Sequence, residues 1–222
     1  MDRQIIDHTN PYYANKRATL GDDKYNGAYY YSKDIVKYII PKVKTDRNWI
    51  TIRLPEMKDH KDHSIVFIHN NRNPNYYEYL KEYRDCVLVC GLPSTAENMR
   101  FFSDKVIYLP LSVNIKSVER YKRKVKDRDM AFAGRMKKLY RAPVPKECDI
   151  LTGMCQTDLL KEMSHYKKVF CTGRTAIQAK ILGCEIGVHD NRFPDPSLWK
   201  VVDCSEAAKI LQDKLDSIDG IT

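Results

Sequence analysis

Short apolar runs recur along the chain with polar stretches between them. Nine read as strands: 49–53, 64–69, 86–90, 106–109, 130–133, 149–152, 168–172, 185–189 and 200–203. Several, such as VLVC at 87–90 and VIYL at 106–109, are apolar at every position. A strand apolar on both faces belongs in a parallel sheet covered by helices on each side. Helical spacing fills most of the intervals, at 34–40, 76–84, 94–102, 158–166, 175–182 and 205–215. Strand and helix alternate, which predicts βαβ units.

Punctuation residues sharpen these expectations. Ser94 followed three residues later by Glu97 has the form of a capping box, Ser205 before Glu206 that of a cap with a favourable first-turn charge, and Gly183 that of a helix-terminating glycine. Gly91, Gly134, Gly153 and Gly173 each follow a predicted strand directly. Open α/β sheets bind ligands at that edge, outside the carboxyl ends of their strands. The first 31 residues, with Tyr12, Tyr13, Tyr25 and Tyr29 to Tyr31, read as an irregular aromatic loop. A charged stretch within 112–129 marks a boundary, which divides the chain into lobes 1–115 and 116–222, two small Rossmann-like α/β lobes with parallel sheets.

Composition narrows the class. Of 222 residues, 43% are hydrophobic and 30% charged, and no apolar run approaches the ~20 residues of a membrane span. The opening MDRQIIDHTN lacks the basic and then apolar order of a signal peptide, and the seven cysteines are odd in number without C-x-x-C spacing. Together these predict a cytoplasmic protein with reduced thiols. The net charge is +9, and residues 116–146, with twelve Lys or Arg against three acidic residues, account for all of it. Such a stripe suits an anionic ligand or a polyanionic partner such as DNA; the plain alternative is a solvated helix face.

Three segments could carry chemistry. In MAFAGRMKK, 130–138, an apolar strand runs into Gly134, Arg135 and Lys138. The glycine permits close backbone approach, Arg135 could grip a diphosphate bidentately, and Lys138 could reach it as a point charge. In KKVFCTGRTAIQAKILGCEIGVHD, 167–190, a strand turns through Gly173, Arg174 and Thr175 into a helix, whose start favours an anion. In SIVFIHNNRN, 64–73, His69 stands at a strand end, where it could act as a general base. His60 and His63 lack further ligands at metal-binding spacing, so no zinc site is expected. Walker, dinucleotide-binding, zincin and nucleophile-elbow motifs are absent from the sequence.

The order of these segments resembles the group 1 GT-B glycosyltransferases, especially short bacteriophage-encoded members. The likeness is clearest over 130–190: a strand ending in Gly134 and Arg135 with Lys138 after it, then DILTG, DLLKEMSHY and VFCTGRTAIQAKILGCEI. It implies that Gly134, Arg135 and Lys138 hold a donor diphosphate and that His69 belongs to the acceptor lobe. Many members carry a pair of glutamates in the last of these segments. Here Gln178 stands in place of the second, able to hydrogen-bond a ribose hydroxyl, and no counterpart of the first occurs near 170–173.

The resulting expectation is sugar transfer from a nucleotide diphosphate, of uridine type, to a hydroxyl acceptor without a metal or other cofactor. Gly173, Arg174, Thr175 and Gln178 would help hold the donor, and His69, Asp22 or Asp23 would accept the proton. Hydroxylated bases of phage DNA are the leading acceptor, which would place the protein in the host cytoplasm. Two rivals stand beside this reading: a non-catalytic nucleotide-binding or sequestering module, and a nucleic-acid-binding interaction protein whose tyrosines stack bases.

Overall fold

The computed structural model describes residues 5–6, 27–51, 62–69, 74–135 and 144–220, and within them the chain forms two α/β units with wholly parallel sheets. The first unit comprises Ile5–Ile6, Ala28–Pro110 and the C-terminal helix; the second is Leu111–Asp203.

In the first unit, β1 (Ile5–Ile6), β2 (Asn48–Ile50), β3 (Ser64–Ile68), β4 (Val87–Cys90) and β5 (Val106–Tyr108) lie side by side in chain order. Trp49 pairs with Ile65, Val66 with Leu88 and Val89 with Ile107. Every residue of β3 and β4 is buried, as the apolar runs IVFI and VLVC predict, and the polar Ser64 at the start of β3 is buried with them. On one face Ile50, Val66, Ile68, Leu88 and Cys90 pack against Tyr77 and Leu80 of a 3-10 segment, Pro74–Glu82, and against Ala96 and Met99 of α2 (Pro93–Met99). On the other, Trp49 stacks on Phe67 and Tyr31 meets Phe67 edge-on. Tyr31 belongs to α1 (Gly27–Asp34), which continues through one π-helical turn, Ile35–Ile39, and a 3-10 turn, Ile40–Lys42.

Four sequence expectations change here. The first 31 residues are not uniformly irregular, since they hold β1 and the start of α1. Ser94 does not cap α2: Leu92 is the N-cap with Pro93 at the first helical position, where its missing N–H costs nothing. The 200–203 run forms no strand and contributes a single parallel bridge, Val113 to Asp203. The chain passes between units at Pro110/Leu111, and the last helix returns to the first unit rather than ending the second. That helix, α6 (Cys204–Asp219), buries Ala207, Ala208, Leu211 and Leu215, one stripe at helical spacing, and packs on the π-helical turn that buries Ile35 and Ile39. The Gln212 side chain clips its position, accepting from the Lys44 amide at 2.6 Å and donating to the Lys44 carbonyl at 3.1 Å. All seven cysteines are free thiols and six are buried; burial pushes Cys86 up to about 11 and Cys90 to about 12.

One ionic network ties the amino ends of these strands together. Arg47, only 2% exposed, precedes β2 and donates to Asp219 at 2.7 Å, at the end of α6, and to the Asp85 carbonyl at 2.7 Å, just before β4. The Asp85 carboxylate also accepts from His63, before β3, at 2.7 Å and from Lys105, before β5. His63 and Asp85 both adopt left-handed backbone, φ 51° and 46°, uncommon away from glycine. The second His63 nitrogen faces Asp46 at 3.0 Å, so both ring nitrogens meet carboxylates and the imidazolium is favoured.

In the second unit α3 (Ile115–Glu119) precedes β6 (Arg128–Ala133). Next come β7 (Asp149–Leu151), α4 (Gln156–Met163), β8 (Tyr166–Phe170), α5 (Arg174–Ile181) and β9 (Glu185–Gly187). The strand order is β7-β6-β8-β9, with Ala131 paired to Asp149 on one side and to Val169 on the other. No helix among the described residues is long and apolar enough to cross a membrane.

Replacing Arg47 by Met removes a buried charge whose carboxylate partners keep contact with water. Urea unfolding is expected to show a loss on the order of 3 kcal/mol, the low end for breaking a buried pair; a loss below 1 kcal/mol would contradict the bracing role. Hydrogen bonds from Lys105 and His63 hold the Asp85 carboxyl well below the usual range, and those to Asp85 and Asp46 raise His63. The His63 contribution is therefore complete below its unfolded pKa, about 6.5, and is lost as pH rises through the folded value. The Asp85 contribution is present above about 3.8 and is lost on acidification. The melting-temperature advantage of the parent over His63→Ala should peak near pH 5–6 and shrink towards pH 9.

Candidate functional site

The second sheet reverses direction once. From β6 the chain steps outward to β7, then passes over β6 to reach β8 and continues to β9. Right-handed crossovers put α4 and α5 on one face, which leaves the other to the residues entering β7. Consistent with this, Val144 and Cys148 pack with Phe132 and Phe170. The loops leaving β6 and β8 thus diverge to opposite faces, and the crevice between such loops is where open α/β sheets take ligands.

Both glycine-bearing turns singled out in the sequence stand at this crevice. Phe132 pairs with Phe170, so Gly134 leaves β6 beside Thr172 as it leaves β8. Gly134 donates to the Leu151 carbonyl at 3.4 Å, and a Cβ there would lie 3.0 Å from the Phe132 ring. Arg135 follows, exposed. Gly173 is the N-cap of α5 with φ 67° and ψ −141°, a conformation open essentially to glycine alone. Its carbonyl accepts from Ala176 at 3.0 Å and Ile177 at 3.3 Å, closing the first turn.

The side chains that follow point to different tasks. Thr175 is half-buried. Arg174 is 7% exposed and its Nη1 donates to the Ser112 carbonyl at 3.1 Å, so part of its donor capacity holds the segment entering the second unit. Gln178, one turn along the same helix face and 3% exposed, has no hydrogen-bond partner for its Nε2 among the described residues. A buried amide in that state costs about 1–3 kcal/mol until something accepts from it.

Two further residues belong to this edge and carry no catalytic assignment in the sequence reading. His189 and Asp190 follow β9; His189 is buried and meets the Phe132 ring edge-on at 5.3 Å. Asp190 accepts from Arg192 Nε at 2.9 Å and Nη2 at 2.6 Å, which draws its pKa down to about 2. The available signal was a His-Asp pair at the end of the predicted strand 185–189. Gly187 is required beside them, because a Cβ would approach the Phe170 ring to 2.5 Å.

His69 lies in the first unit, at the carboxyl end of β3. Its Nε2–H donates to the Thr51 carbonyl and its ring meets Tyr31 edge-on. Because a carbonyl oxygen can only accept, that bond requires a proton on Nε2. His63, weighed as a metal ligand with His60, instead joins the ionic network around Arg47. Asp22, Asp23, His60 and Lys138 lie outside the described residues.

The basic stripe does not form one surface. Arg135 lies at the carboxyl edge of the second sheet, whereas 120–128 approach its amino edge, roughly 20 Å away along the six residues of β6. Lys126 donates to the carbonyl of Ser164, the C-cap of α4, at 3.2 Å. The stems of Lys122 and Lys126 lie beside Gly183, just past the end of α5. Cations at two helix C-termini are placed where the helix dipole favours them, and a carboxyl-edge ligand could not use them.

No protein-family model and no curated protein matches the chain.

Gly173→Ala forces an alanine into the glycine-only conformation and is expected to cost about 1–3 kcal/mol. Gly187→Ala displaces the Phe170 ring at a similar cost, about 1–3 kcal/mol. Gly27→Ala, with nothing within 4 Å of the added methyl, serves as the neutral control. Equal denaturation midpoints for all three variants would contradict the assignment.

Proposed function

We propose that the protein transfers a sugar from a nucleotide diphosphate, of uridine type, to a hydroxyl acceptor, the second unit holding the donor. The carrying observation is the reversal of strand order at β6 and β8, which puts Gly134, Arg135, Gly173 and the start of α5 side by side. Glycine backbone admits phosphate oxygens closely, the first amides of a helix attract anions, and an exposed guanidinium such as that of Arg135 offers the fork that binds phosphate bidentately. The resemblance to group 1 GT-B glycosyltransferases supports the same assignment and adds Lys138. The Gln178 amide, buried and without an acceptor, suits a ribose or sugar hydroxyl.

In this reading the two sheets are the lobes of a GT-B-like enzyme. The acceptor oxygen bonds to the anomeric carbon while the bond from that carbon to the diphosphate breaks, and the diphosphate leaves with the electron pair. Arg135 and the helix dipole stabilise the charge growing on it. The acceptor proton passes to His69, or to Asp22 or Asp23. Hydroxylated bases of DNA remain the proposed acceptor.

Calorimetry with uridine diphosphate tests the donor site. Arg135→Ala is expected to weaken binding by about 1.5–3 kcal/mol, the range for hydrogen bonds to charged groups. Unchanged affinity would overturn the assignment of Arg135. Tight binding with no turnover of any uridine diphosphate sugar, alone or with a hydroxylated acceptor, would favour the sequestering module.

A further inference from the structure

The amino edge of the second sheet carries cations that no carboxylate balances. The acidic residues there are mostly matched: Glu162 with Arg128 at 3.1 Å, Asp129 with Lys167 at 2.7 Å, Glu185 with Lys168 at 2.6 Å and Asp127 with His165 at 2.9 Å. Arg120, Lys122, Arg123, Lys124 and Lys126 are left. Arg123 bonds to His165 Nε2, and Lys126 to the Ser164 carbonyl and Cys184 Sγ, partners without negative charge. Lys122 and Lys124 have no ion pair among the described residues, and the Arg120 guanidinium rests 4.7 Å over the Tyr121 ring, which orders it without neutralising it. Glu119 is the one acidic residue of 116–126. Five positive charges within seven residues stand on one edge, four of them exposed.

We propose that this edge is a docking surface for the phosphate backbone of nucleic acid, separate from the donor site and independent of its chemistry. A row of unbalanced cations gains affinity by displacing the counterions condensed on a duplex, without reading its sequence. A membrane surface is the poorer fit. Peripheral membrane segments pair cations with several apolar side chains that enter the acyl boundary, and this segment exposes one large aliphatic residue, Val125, at 73%. The distance of about 20 Å from Gly134 along β6 makes the patch a tether rather than part of the reacting centre.

Fluorescence anisotropy with a labelled 20-base-pair duplex of arbitrary sequence tests this on the full chain. If all five cations meet phosphates, affinity should fall about 500-fold between 50 and 200 mM salt. For Arg120→Ser/Lys122→Ser/Lys124→Ser the fall should be about 12-fold, with much weaker binding at 50 mM. Uridine diphosphate affinity and melting temperature should match the parent in this variant, which separates failure here from failure of the donor site. A second variant, Lys122→Ser/Lys124→Ser, keeps Arg120 on Tyr121 and should fall between the two. No duplex binding by the parent, binding insensitive to salt, equal binding by parent and variants, or capture by anionic vesicles in place of DNA would each overturn the proposal.

Discussion

The placement of β6 between β7 and β8 governs the second unit. Because β7 lies on one side of β6 and β8 on the other, right-handed connections carry the chain away from β6 over one face and away from β8 over the other, so the exits of these two strands diverge. That divergence exposes Gly134 and Arg135 beside the start of α5. It also dictates the packing beneath them: Phe132 and Phe170 turn towards the face covered by Val144 and Cys148, and His189, just past the end of β9, meets the Phe132 ring. The glycine at 187 belongs to the same constraint, since the Phe170 ring fills the space a side chain there would need.

The first unit is organised differently. Its strands run in chain order without a reversal among the described residues, so no comparable crevice follows from topology. What distinguishes it is the ionic brace at the opposite edge, where Arg47, His63 and Lys105 converge on Asp85 and Arg47 reaches Asp219. A buried guanidinium is costly to desolvate, and apolar residues of equal volume could supply as much stability. What the arrangement adds is registration. It links the residues preceding β2, β3, β4 and β5 with the end of α6, segments far apart in sequence, and only a specific juxtaposition satisfies all of them.

Element types were legible because parallel strands are apolar on both faces and because glycine terminates them at recognisable places. Gly183, with φ 79°, ends α5 as its position suggested, and Gly91, Gly134, Gly153 and Gly173 all follow strands. Less legible was anything settled by tertiary contact. The return of α6 to the first unit depends on Ile35 and Ile39 offering an apolar seat, and Ser94 loses the capping role to Leu92 because Pro93 starts the helix one residue earlier. Of the candidate site, sequence located both turns and their glycines. It could not show that Arg174 turns inward to Ser112, since an arginine after a glycine reads as exposed whatever lies beneath it.

The basic stripe shows why charge along a sequence is a poor map of charge in space. Residues 120–135 look like one cationic block, yet a six-residue strand carries the chain from one edge of the sheet to the other, a separation about twice the Debye length at physiological salt. Cations on the two edges are screened from one another. At the carboxyl edge the exposed Arg135 accompanies a helix amino terminus, where a compact anion is favoured. At the amino edge the helix carboxyl termini present carbonyl oxygens, which hold lysine side chains but repel phosphate. An anion meeting that edge must be held by the cations alone, so multivalent attachment along a backbone suits it better than a closed pocket.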